Sequence, residues 1–183
     1  FRPFTVVSAT NPYRLSSKTI LDAFAKASNI HFEDKRYGFI AETTLKGRKL
    51  ILLKPTTFMN LSGNAVRYWL NKENIDQSRL LVISDDIALP LGAFRLKANG
   101  NNGGHNGLGH IQQLIGTNYA RLRMGIGNDY PKGGQVDWVL GKYDDNDKTI
   151  LQPSINIACD IIKSFALAGI DITMNQFNKL GKK

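Results

Sequence analysis

The stretch NNGGHNGLGHI, Asn101 to Ile111, holds three asparagines, four glycines and two histidines just ahead of an amphipathic run. Glycines at this density let the backbone take positive φ or approach a partner closely. An asparagine amide offers both a donor and an acceptor. Such groups can hold a carbonyl, a hydroxyl or a water, but they cannot move a proton. Other residues of the same chemical kind close apolar runs of strand length. FTVVSAT runs into Asn11, KLILLKPTTFM into Asn60, and RLLVIS into Asp85 and Asp86. In open α/β sheets ligands sit beyond the carboxyl ends of the strands, where helix N-termini point. If these three strands are parallel, Asn11, Asn60 and Asp85 gather on one rim, and the glycine-rich loop adds His105 and Asn106. Turn preference alone also puts Asn and Asp at strand ends, so the weight rests on their coincidence.

Several chemistries do not fit. The loop has neither the Lys-Ser/Thr pair of a phosphate-binding loop nor the dinucleotide fingerprint. No G-x-S-x-G elbow supplies a serine nucleophile. Three histidines and one cysteine show no metal-ligand spacing, so neither a metal nor a cofactor is expected.

The elements that must carry these residues alternate. Strand-like runs at FTVVSA, GFIAETTL, RKLILLK, RLLVISD, GAFRLKA and RLRMGIG interleave with helical patterns at KTILDAFAKASNI, NAVRYWLNKENI and GLGHIQQLIG. A last helical block spans about Asp147 to Asn178, with Pro153 suited to a first helical turn rather than an interior. This alternation implies an α/β fold with a twisted, mostly parallel or mixed central sheet flanked by helices. With no repeat or linker in 183 residues, one domain over 1–183 is expected.

The 24 basic residues outnumber 15 acidic ones for a net charge of +9, which favours a polyanionic partner such as nucleic acid. The excess is spread along the chain, as on a charged face rather than a basic arm. No eighteen-residue apolar run is present, so no membrane partner is expected. FRPFTVVSA lacks the apolar core and cleavage site of a secretory signal. The lone Cys159 fits a reducing, cytoplasmic setting.

Four motifs in order, KPTTFMNLSGNAV (Lys54–Val66), VISDDIALPLGAFRLK (Val82–Lys97), GGHNGLGHI and YARLRMGIGN (Tyr119–Asn128), resemble bacterial peptidyl-tRNA hydrolases. VDWVLGKY (Val136–Tyr143) and the terminal TMNQFN are similar as well. The resemblance implies an esterase that frees tRNA by cleaving the bond between a peptide and the 3′ ribose, acting as a monomer on a single α/β domain without metal. It assigns Asn60 and Asn106 to the substrate carbonyl and the attacking water, with Met59 and His105 lining the cleft. Asn11 matches the asparagine that closes the first strand, and Tyr13 corresponds to a remnant of the segment after it. Asp85 becomes the carboxylate that orients the catalytic histidine. Arg95, Lys97, Arg121, Arg123 and Lys142 fall where basic residues would meet the tRNA phosphates.

One part of the pattern departs from the family. The family's general-base histidine follows the first strand, whereas this chain has no histidine between Asn11 and Leu21. Three explanations follow: the N-terminal stretch of this sequence differs from the natural one, the chain is a silent relative that binds RNA without hydrolysis, or His105 serves as the base.

Overall fold

The computed structural model describes residues 2–9 and 16–181. Strand β1 (Phe4–Ser8) is buried at every position, as a strand covered on both faces of a parallel sheet must be. Helix α1 (Ser16–Ala27) follows, then β2 (Glu33–Lys35), β3 (Gly38–Leu45) and β4 (Arg48–Pro55). A 3₁₀ turn at Met59–Leu61 leads into α2 (Ser62–Lys72), then β5 (Leu80–Asp86) and β6 (Phe94–Lys97). Helix α3 (Asn106–Ile115), β7 (Ala120–Gly125), α4 (Gln135–Leu140), α5 (Asp145–Ala168) and α6 (Ile170–Phe177) complete the order.

The seven strands form one sheet in the order β2-β3-β4-β1-β5-β7-β6. Its centre is parallel: β1 pairs with β4 and β5, and β5 with β7. The outer pairs β2–β3, β3–β4 and β6–β7 are antiparallel, so the sheet is mixed. The three strands whose ends carry the candidate residues therefore point the same way. Two apolar clusters cover the faces. One packs α1 and α5 onto Val6, Leu50, Leu52, Leu81 and Leu122. The other packs α2 and α3 onto Val7, Ile51, Leu53 and Val82.

Two expectations about the C-terminal block need correction. The block is not continuous: Gly169, at φ 81, separates α5 from α6. Pro153 lies inside α5 rather than in its first turn. The start is set two turns earlier by a capping box, in which Asp144 accepts from the Asp147 N–H and Asp147 accepts from the Asp144 N–H. Burial of Leu151, Ile155, Ala158, Ile162 and Phe165 then continues the helix across the proline.

Candidate active site

The carboxyl end of β5, the 3₁₀ turn, the glycine-rich loop and the start of α3 surround a cleft of about 630 Å³. Met59, Asp85, Asp86, His105, Asn106 and Arg123 line it, and Val136, Val139 and Leu140 of α4 form an apolar wall. A second pocket of about 300 Å³ shares His105 and Asn106 with the first and adds Asn60, His110 and Gln113. Asp85 thus lines the first pocket and Asn60 the second, with Asn106 and His105 on the wall the two share. Asn11 and Tyr13 lie outside the described residues.

Local chemistry explains how the glycine-rich loop is held. Asn102 Oδ1 accepts from the Gly104 N–H at 2.8 Å, closing a tight turn through Gly103 and Gly104 at φ 59 and 81. At Gly107 the requirement is space: a Cβ there would lie 2.7 Å from Met59 Sδ. Positive φ is used in the loop and close approach in the first turn of α3 that follows it.

His105 is the N-cap of α3, and its Nδ1 accepts the Leu108 N–H at 3.1 Å. An accepting Nδ1 puts the ring proton on Nε2. Burial pulls its pKa from the usual 6.5 down to about 4; the Arg123 cation pushes the same way, while its own backbone hydrogen bond and the Asp86 charge oppose it. His105 is therefore a neutral donor at neutral pH, with no lone pair left to take a proton. His110 is held in the same manner from the other direction. Its Nδ1 accepts the Gly63 N–H at 3.0 Å, supplying the cap that Leu61 does not give α2. His31 is exposed beyond α1 and lines neither pocket.

Strand alternation explains the basic residues. Phe94, Leu96, Leu122 and Met124 face the α5 cluster, so Arg95, Lys97, Arg121 and Arg123 share the opposite face of β6 and β7. Across the strands Arg95 pairs with Arg123 and Lys97 with Arg121, an arrangement of like charges that costs stability unless anions compensate it. Arg123 meets Asp86 at 2.6 Å, and Ala88 N–H donates to the other oxygen of that carboxylate. Arg95 and Lys142 are exposed and Lys97 is half-buried.

Arg121 does not meet the expectation of a phosphate contact. It is 1% exposed, donating to the Asn101 carbonyl at 2.9 Å and the Thr117 carbonyl at 3.3 Å, with its guanidinium 4.4 Å from the centre of the Tyr119 ring. It is enclosed beside Asn101, Thr117 and Tyr119, and its hydrogen bonds tie the start of the glycine-rich loop to β7. Sequence reasoning misses the Arg123–Asp86 pair and the α4 wall. VDWVL does carry the i, i+3, i+4 apolar spacing of a short amphipathic helix.

The model of the peptidyl-tRNA hydrolase family matches residues 17–183. The peptidyl-tRNA hydrolase of Phocaeicola vulgatus is 62% identical over 162 residues, covering 88% of this chain and 87% of that protein. That of Bacteroides fragilis is 60% identical over 161 residues, 87% and 86% of the two chains. Among solved structures, peptidyl-tRNA hydrolase from Acinetobacter baumannii superposes with a TM-score of 0.87 at 28% identity, covering 97% of this chain and 95% of that one.

Proposed function

The chain belongs to the peptidyl-tRNA hydrolase family, and from that premise we propose that it hydrolyses the ester between a peptide and the 3′ ribose of tRNA, with the cleft between β5 and α3 as its active site. The observation that carries this reading is that Asp85 and Asn60 line two pockets sharing Asn106 and His105, beyond the carboxyl ends of parallel strands. Asn60 and Asn106 donate to the ester carbonyl and hold the attacking water. His105, with its proton on Nε2, adds a neutral donor that stabilises developing negative charge without titrating near pH 7. Met59 and the α4 wall give the acyl chain an apolar bed. Asp85 supplies the fixed negative charge that orients and strengthens the proton acceptor for the water. Among the described residues no histidine serves as that acceptor, because His105 and His110 spend Nδ1 on helix N–H groups and His31 lines neither pocket.

Arg95, Lys97, Arg123 and Lys142 meet the acceptor phosphates, and the exposure of Arg95 and Lys142 supports that role. The reading carries with it one domain over 1–183, acting as a monomer in the cytoplasm. No helix of the described residues is long and apolar enough to cross a membrane.

The test is release of free tRNA from purified peptidyl-tRNA. The wild type turns the substrate over, and Asp85→Asn lowers kcat, by at most the roughly 10²–10⁴-fold worth of the positioned base that it orients. A wild type that binds peptidyl-tRNA but releases nothing overturns the reading.

A further inference from the structure

A cluster of rings and cations lies at the same end of the sheet, outside both pockets. The β2–β3 hairpin turns through two residues, Arg36 and Tyr37, since Lys35 pairs with Gly38. Tyr37 takes φ 66, a left-handed conformation for which glycine or asparagine is the ordinary choice in such a turn. A bulky ring kept there is strained, and such strain gathers where function needs it. The turn is pinned on both sides. Trp69 Nε1–H donates to the Arg36 carbonyl at 2.9 Å, and the Thr56 N–H donates to the Tyr37 carbonyl at 3.0 Å.

The pinned turn presents Tyr37 edge-on to Tyr68 of α2, with ring centres 5.4 Å apart. The Arg36 guanidinium lies 5.1 Å from the centre of each ring. Among the described residues no carboxylate pairs with Arg36. Tyr37 is 36% exposed, and Arg67 stands exposed beside Tyr68. An exposed cation held by two tyrosines, with no carboxylate to balance it, matches a surface that stacks unpaired bases and meets their phosphates. Duplex RNA, whose bases are already stacked, would use the cations and not the rings. The position fits as well. Thr56 is four residues from Asn60, so the turn lies within about 14 Å of the cleft along the chain.

From this juxtaposition we infer that Arg36, Tyr37 and Tyr68 form a stacking platform for unpaired RNA, receiving the single-stranded nucleotides that lead to the ester-bearing ribose. The inference rests on the esterase reading above for its ligand. Arg36 neutralises a phosphate while the two tyrosines take base faces, and the strained turn holds the platform open before RNA arrives.

The experiment compares the full chain with the double variant Arg36→Gln, Tyr68→Ala on three probes: peptidyl-tRNA, a short unpaired oligoribonucleotide with the 3′ sequence of tRNA, and a peptidyl ester of a single nucleoside. The variant binds the oligoribonucleotide roughly tenfold or more weakly and loses a comparable factor in kcat/KM on peptidyl-tRNA. Turnover of the nucleoside ester stays at the wild-type value. Tyr68→Phe, which keeps the ring, binds as the wild type does. Equal losses on peptidyl-tRNA and the nucleoside ester overturn the inference, because they report a disturbed cleft. Wild-type oligoribonucleotide affinity in the double variant also overturns it, and if sedimentation of the full chain changes with it, the patch is a protein contact. A wild type that hydrolyses neither ester defeats the esterase reading alone, since oligoribonucleotide binding is scored separately.

Discussion

Replacing Arg121 by methionine separates a structural cation from an RNA-binding one. The substitution keeps the length and apolar stem of the side chain and removes its donors. Two hydrogen bonds from a charged group are lost, to the Asn101 and Thr117 carbonyls, each worth about 1.5–3 kcal/mol when the donor is ionised. Relief from burying the guanidinium, whose pKa burial already lowers, offsets part of that loss. The contact with the Tyr119 ring at 4.4 Å is replaced by an apolar one of similar shape. The net loss comes to about 1–3 kcal/mol of folding stability. Urea denaturation reads it as a lower midpoint at unchanged slope. The same variant leaves the salt dependence of tRNA binding unaltered, because a residue 1% exposed touches no phosphate. Arg95→Gln behaves in the opposite way, keeping the midpoint and reducing the log–log salt slope by about 0.9. If Arg121→Met is as stable as the wild type and flattens the salt slope by that amount, the tether interpretation fails.

Further outcomes follow from the loop. His105 binds a proton in the unfolded chain near pH 6.5 and in the folded chain only near 4, so the unfolded state takes up more protons in between and stability falls as pH drops through that window. His105→Asn keeps an N-cap acceptor and removes this proton uptake; its stability relative to the wild type rises by about 2 kcal/mol between pH 7 and pH 5, and parallel denaturation curves at the two pH values would refute it. Gly107→Ala puts a methyl 2.7 Å from Met59 Sδ. The same methyl lies 3.1 Å from His105 Cε1 and 3.3 Å from its Nδ1, so both side chains shift in the cleft and kcat/KM falls by up to about 10²-fold; unchanged kinetics would show that neither bears on the substrate.

The central strands and three of the helices were legible in the sequence because they are buried on one or both faces, and burial writes itself as apolar runs and helical stripes. β2 was not legible: EDK is exposed at all three positions and exists only through pairing with β3. That Asn60 and Asp85 follow parallel strands was legible for the same reason, since polar residues at the ends of apolar runs mark where a parallel sheet opens. What the sequence could not convey was direction. Arg121 and Arg123 occupy the same face of β7, yet one is buried on the Asn101 and Thr117 carbonyls and the other reaches Asp86. No local pattern distinguishes them. The state of the histidines was equally hidden, because it depends on which helix N–H each Nδ1 meets, and for His110 that helix lies 47 residues away.

The bond from Gly63 to His110 has a mechanical consequence. It clamps the beginning of α2 to the first turns of α3, so the two amides at 60 and 106 are mounted on one bracket, whereas the acid at 85 is anchored separately in the sheet. Breathing of the helical layer would carry both amides together and preserve their mutual spacing. Only their separation from the acid would vary, which makes that gap the single coordinate along which this crevice tightens or slackens around a guest.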